Sequence, residues 1–187
     1  MAATESNMLE LGTVAPDFAL PDADGTVHTL AQNAPAVLIM FICNHCPFVK
    51  HVREQFARIG DDYLSRGVAI YAINSNDLDN YPQDGPAAMK QESASLGYAF
   101  PYLLDEDQSV AKQYRAACTP DFYVFDGERR LVYRGQLDDS RPSNKMPVDG
   151  KDIRAALDAV LAGDAVNTEQ VPSIGCNIKW KPGNEPA

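Results

Sequence analysis

The residues of this 187-residue chain best suited to chemistry are Cys43 and Cys46, with Asn44 and His45 between them. Two intervening residues let a bent turn bring both sulfurs within bonding distance. A thiolate on the first cysteine can attack a disulfide, and the second can resolve the mixed disulfide that results. Ahead of the pair, residues 36–42 (AVLIMFI) are apolar throughout and read as a strand buried on both faces. After it, Val49, Val52, Phe56, Ile59 and Tyr63 recur at steps of three and four, the buried stripe of a helix. The pair therefore stands where a strand ends and a helix begins. Unpaired N–H groups and the positive end of the helix dipole favour a thiolate there. His45 can carry positive charge or donate a hydrogen bond, and either lowers a cysteine pKa and stabilises the reduced pair. Pro47 falls early in the helix, where a missing N–H costs little.

Composition sets the surroundings. Apolar residues make up 45% and charged residues 22%, ordinary for a soluble domain. The net charge of −10 disfavours nucleic acid and anionic membrane as partners. Residues 1–10 lack the basic stretch and apolar core of a secretory leader, and the apolar run 34–43 is too short to span a bilayer. The expected location is the cytoplasm. In a reducing compartment, one close cysteine pair with Cys118 and Cys176 scattered reads as redox-active rather than structural.

The elements follow in order. A hairpin over 13–30 turns at Asp24-Gly25. The strand 36–42 and its helix lead to a second strand at 68–73 after Gly67. A turn-rich stretch over 74–85 precedes a helix at 86–96, a short strand at 102–104 and a short helix at 109–116. Strands at 122–125 and 130–135 meet at Asp126-Gly127. A polar loop and a helix at 151–161 follow. Residues 164–187 show little periodicity and read as an irregular extension. The order predicts one α/β domain over 1–187, a mixed sheet with helices on both faces.

Three segments taken together, APDFALPDADG at 15–25, CNHC at 43–46 and TPDFYVFDG at 119–127, resemble the thioredoxin superfamily. The likeness is to the redoxin branch related to alkyl hydroperoxide reductases and thiol-specific antioxidant proteins, and it spans roughly 14–162. It implies a thioredoxin-like three-layer fold with an N-terminal hairpin and an inserted helix. It implies that Pro120 is cis and packs against the sulfurs, and that the Thr119 backbone pairs with a substrate strand. The acid that many thioredoxins bury on the central strand is missing here, so proton transfer falls to His45, another nearby group or water. The usual Trp before the first cysteine is Ile42.

The related peroxidases place a Thr or Ser three residues before their cysteine and an Arg ahead of a late strand. Aligned on Cys46, this chain has Cys43 and Pro120 at those positions. Both departures favour a thiol–disulfide oxidoreductase, with Cys43 attacking, Cys46 resolving, His45 tuning the couple and Thr119-Pro120 holding the substrate. A peroxidase centred on Cys46 is the alternative, with Arg141 as a loop guanidinium that reaches the pocket or stays in solvent. Cys118 reads as a buried filler or a third redox thiol. Cys176 reads as an inert tail residue, or as a thiol that resolves Cys46 or pairs with Cys118.

A thioredoxin-fold metallochaperone would need a downstream histidine, but His28, His45 and His51 all precede residue 52, and His51 reads as solvated. Zinc would need a second close ligand pair, which is absent. No metal and no organic cofactor is expected. The partners are a protein or small-molecule thiol or disulfide, with peroxide under the alternative. Monomer and homodimer are both open. The His45-containing pair predicts a couple more oxidising than thioredoxin's. A measured reduction potential at or below about −270 mV contradicts that.

Overall fold

The run at 36–42 becomes the centre of a five-stranded sheet. The computed structural model describes residues 3–186. Its strands are β1 (Ala3–Glu5), β2 (Ala19–Pro21), β3 (Val27–Thr29), β4 (Ala36–Phe41), β5 (Ala69–Asn74), β6 (Tyr102–Leu104), β7 (Cys118–Thr119), β8 (Asp121–Asp126), β9 (Leu131–Gly135) and β10 (Ile174–Asn177). Its helices are α1 (Pro47–Tyr63), α2 (Pro86–Leu96), α3 (Ser109–Gln113) and α4 (Lys151–Ala162). The central sheet runs β6-β5-β4-β8-β9. β4, β5 and β6 are parallel, β8 runs antiparallel to β4, and β9 antiparallel to β8.

All six residues of β4 are buried, because both faces of the sheet are covered. Ala36, Leu38 and Met40 pack with Val49, Phe56 and Ile59 of α1 and Ile153 and Leu157 of α4. Val37, Ile39 and Phe41 face the other way, onto Phe18, Leu20 and Leu30 around the β2–β3 hairpin and Val110 beside Tyr114. The three layers are thus helices, sheet, then hairpin with α3, as the resemblance implies. Cys46 is the residue before α1, and Pro47 opens the helix. No helix among the described residues is long and apolar enough to cross a membrane.

The tail departs from its expected irregularity. β10 pairs antiparallel with β7 on one side and with β1 on the other. Contacts that leave no periodic trace hold it. Gly175 lies against the Thr119 carbonyl so closely that a Cβ would stand 2.0 Å from its oxygen. Ser173 Oγ donates to the Pro120 carbonyl at 2.6 Å. The Ile178 N–H reaches the Ala117 carbonyl at 3.1 Å, and its side chain enters the hairpin-side core. A four-residue strand is too short to declare itself by alternation.

Next to β7 lies a buried ion pair. Arg134 Nη2 donates to Asp121 Oδ2 at 3.0 Å and to the Arg115 carbonyl at 3.0 Å. Both side chains are fully buried, and the guanidinium stands 4.4 Å from the Tyr123 ring centre. Burial pushes the Asp121 carboxyl above its ordinary range, and Arg134 opposes that shift. Removing one partner leaves the other uncompensated. Arg134→Met is expected to cost roughly 3–5 kcal/mol in urea denaturation at neutral pH. A loss under about 1 kcal/mol contradicts this account.

Candidate active site

Three sulfurs meet where β4 ends, α1 begins and β10 crosses. The Ile42 N–H still pairs with the Ile73 carbonyl at 2.9 Å, so the chain leaves the sheet at Cys43. Cys43 Sγ lies 3.5 Å from Thr119 Oγ1. Cys46 Sγ lies 3.2 Å from the Thr119 carbonyl oxygen, to which it donates when protonated. Cys46 Sγ also lies 2.8 Å from Cys176 Sγ. Cys43, Cys46 and Cys176 are all buried.

Electrostatics favour a negative charge on Cys46 over Cys43. A hydrogen bond from Cys43 is the largest influence, and the Cys176 thiol and the Val49 N–H at the helix start add to it. They bring the Cys46 thiol down to about 4 despite its burial. Cys43 moves up, through its interaction with Cys46, its burial and the Asp84 carboxylate beside it. Cys176 is pushed up to about 12, chiefly by burial and then by Cys46. The sequence alone assigns the attacking thiolate to Cys43. Electrostatics favour the other sulfur: hydrogen bonding and the helix start pull the Cys46 thiol down, while Cys46, burial and Asp84 push Cys43 up.

The turn between the cysteines is braced from outside. Asp84 Oδ1 accepts the backbone N–H groups of Asn44 at 2.9 Å and His45 at 3.1 Å. Asp84 Oδ2 meets His45 Nδ1 at 2.6 Å and accepts Asn76 Nδ2 at 2.9 Å. His45 stacks on Tyr81, with ring centres 5.3 Å apart, and its Nε2 is buried without a partner. Tyr102 Oη donates to Asn44 Oδ1 at 2.9 Å. His45 therefore acts on Asp84, and no hydrogen bond joins it to either sulfur among the described residues.

Asp84 escaped the sequence reading. The available signal was the polar stretch 74–85 after β5. β4 and β5 are parallel neighbours, so the loops at their C-terminal ends lie side by side. Cys43, His45 and Asp84 also gather possible metal donors within 4.8 Å of one another, though no metal was expected. Both Asp84 oxygens already hold two partners each. A cation would have to displace the hydrogen bonds that shape the turn, so the trio does not fit a resident metal.

The Thr119–Pro120 bond is cis, as the resemblance implies. The Thr119 backbone is not open to a substrate strand, however. β10 already pairs with it, with Cys176 opposite Thr119 and Asn177 opposite Cys118. Cys118 is buried with its Sγ 3.5 Å from the Pro120 carbonyl, and burial drives its thiol upward. That suits a filler.

Arg141 lines a shallow groove with Phe48, His51, Pro120 and Phe122. Its guanidinium is committed to its own loop, donating to the carbonyls of Asp138 at 2.8 Å and Ser140 at 2.7 Å and to Gln136 Oε1. His51 is half-buried with an unpartnered, buried Nε2, so it is not the solvated residue expected.

Comparison with known proteins agrees with this architecture. A solved protein from Geobacillus kaustophilus, described as an uncharacterized conserved protein, is 59% identical with a TM-score of 0.95, covering 98% of each chain. The thiol-disulfide oxidoreductase ResA of the same organism is 24% identical over 137 residues, covering 72% of this chain and 75% of that protein. The thioredoxin domain of thiol-disulfide oxidoreductase BVU-2223 from Bacteroides vulgatus is 16% identical with a TM-score of 0.59, covering 79% of this chain and 97% of that one. The last of these likenesses is one of fold alone. The AhpC/TSA family model matches residues 11–134, nearly the whole span of the central sheet with the cysteine pair inside it. With its thioredoxin-like layers and its sulfurs set at the cis-proline, this chain belongs to the AhpC/TSA family.

Proposed function

We propose that this protein exchanges dithiol for disulfide through the Cys-Asn-His-Cys turn, with Cys46 as its central sulfur. One observation carries the reading: Cys46, the residue before α1, holds its buried sulfur 2.8 Å from Cys176 Sγ, with the buried Cys43 at the other end of the same turn. Its sulfur attacks a disulfide of a protein or small-molecule partner, and one partner sulfur leaves as thiolate. Cys43 then gives up its proton and attacks Cys46, releasing the second partner sulfur. The partner gains two electrons and the Cys43–Cys46 disulfide forms. The reverse sequence oxidises a dithiol. Thr119 and Pro120 wall the sulfurs in this scheme, and His45 with Asp84 holds the turn that presents Cys43 to Cys46.

A peroxidase at Cys46 is the second reading, favoured by the same lowered thiolate. In it, Cys46 attacks a peroxide oxygen, becomes a sulfenic acid and releases water or an alcohol. The Arg141 guanidinium is engaged in its own loop, which supports exchange over peroxide chemistry.

The double variant Cys43→Ser/Cys176→Ser separates the two. Exchange predicts multiple-turnover insulin reduction lower by more than about tenfold, ~1.4 kcal/mol in barrier, with a Cys46-linked mixed disulfide accumulating. Peroxidase chemistry predicts one equivalent of peroxide consumed at an undiminished rate, with no exchange in wild type either.

The thiolate itself has a pH signature. The Cys46 thiol falls from an ordinary value of 9.0 to about 4 on folding. Between those limits the folded state binds fewer protons than the unfolded state, so this ionisation adds stability as pH rises. The contribution is complete above the unfolded value and is lost as pH falls through the folded one. Thiolate absorbance at 240 nm in the reduced protein is expected to persist through neutral pH and vanish in Cys46→Ser. Its absence from wild type at pH 7 contradicts the assignment.

A further inference from the structure

The C-terminal strand lies where an incoming strand would lie. β10 runs antiparallel to β7 at the cis-proline, with Cys176 opposite Thr119. Its sulfur points at Cys46 Sγ from 2.8 Å, within an ångström of a disulfide bond length of about 2.05 Å. The match to the family model ends at residue 134, well before this segment.

We propose that β10 is a resident substrate of the site, and that Cys176 alternates with Cys43 as the disulfide partner of Cys46. The proposal rests on exchange at Cys46. The step is an isomerisation. Starting from the Cys43–Cys46 disulfide, Cys176 loses its proton and its sulfur attacks Cys46. The Cys43–Cys46 bond breaks as the Cys46–Cys176 bond forms. The electron pair leaves on Cys43, which takes up the proton. No oxidant or reductant is consumed.

The surroundings fit a docked substrate better than a random tail. Gly175 is the residue that permits the approach, since any Cβ there would overlap the Thr119 carbonyl. Ser173 fastens the strand to Pro120, and β1 flanks its outer edge, with Ala3 opposite Cys176. The sheet that holds it is only three short strands wide, separate from the central sheet. The two disulfides therefore have different consequences. With Cys43 bonded to Cys46, β10 is held by non-covalent contacts and can lift away to admit a partner. With Cys176 bonded to Cys46, β10 is locked over Thr119 and the partner is shut out, while Cys43 is a free thiol.

The test is disulfide mapping on the full chain. The protein is oxidised with diamide, quenched in acid, alkylated in denaturant and digested for mass spectrometry. Wild type is expected to yield both Cys43–Cys46 and Cys46–Cys176 linked peptides. Cys43→Ser should yield only the Cys46–Cys176 link, and Cys176→Ser only Cys43–Cys46. Gly175→Ala keeps all four cysteines but blocks docking. It should lose most of the Cys46–Cys176 link and expose Cys46 to faster alkylation in the reduced state. The proposal is overturned if Cys176 is recovered fully alkylated from oxidised wild type and Cys43→Ser alike. It is also overturned if Gly175→Ala leaves the Cys46–Cys176 yield unchanged. Failure of exchange itself looks different, because wild type would then fail to reduce insulin above the buffer rate whatever its linked peptides.

Discussion

The pairing of β10 with β7 decides what Cys46 can meet. Its register sets Cys176 opposite Thr119, and Thr119 already supplies a hydroxyl near Cys43 and a carbonyl beside Cys46. One residue of slip along β7 would turn Cys176 to the opposite face, since strand side chains alternate. Gly175 resists that slip, because only a residue without a Cβ fits against the Thr119 carbonyl. The place of Cys176 beside Cys46, part of the support for a Cys46 thiolate and closure of the cis-proline edge depend on this short ladder.

The central strand carries no charge, and the polar machinery surrounds it. β4 is apolar along its whole length and packs both core layers. The acids stand off it, Asp84 in the loop after β5 and Asp121 at the start of β8. Both are fully buried but do different work. Asp84 spends its oxygens on the backbone and ring of the 44–45 turn, so its charge is answered by donors that shape the site. Asp121 is answered by Arg134 and fixes the strand that follows Pro120. The same Asp84 carboxylate raises the Cys43 thiol, which helps to leave the negative charge on Cys46.

Charge placement also bears on the choice between exchange and peroxide chemistry. A thiolate at a helix start serves either. What surrounds it differs. Here the immediate neighbours of Cys46 are sulfurs and a carbonyl, and the nearby groove arginine is bound to its own loop. Neighbouring thiols suit the transfer of a disulfide from one sulfur to the next.

Much of this was legible in the chain itself. The apolar run at 36–42, the helical stripe from Val49 to Tyr63 and the Asp-Gly turns are local patterns, and each became the element it implied. Local spacing was also enough to mark Cys43 and Cys46 as a candidate reactive pair, and the family resemblance marked the segment around Pro120 as its companion. The remaining decisions were tertiary. Which sulfur holds the charge depends on donors drawn from α1, β10 and Cys43 together. The role of Asp84 depends on two parallel strands ending side by side. The place of Cys176 depends on a ladder between residues far apart in sequence, held by a glycine with no Cβ, a serine hydroxyl and one buried isoleucine. Those contacts have no period and no local motif. The opening pair of cysteines was therefore a property of the sequence, and the third sulfur beside it a property of the fold.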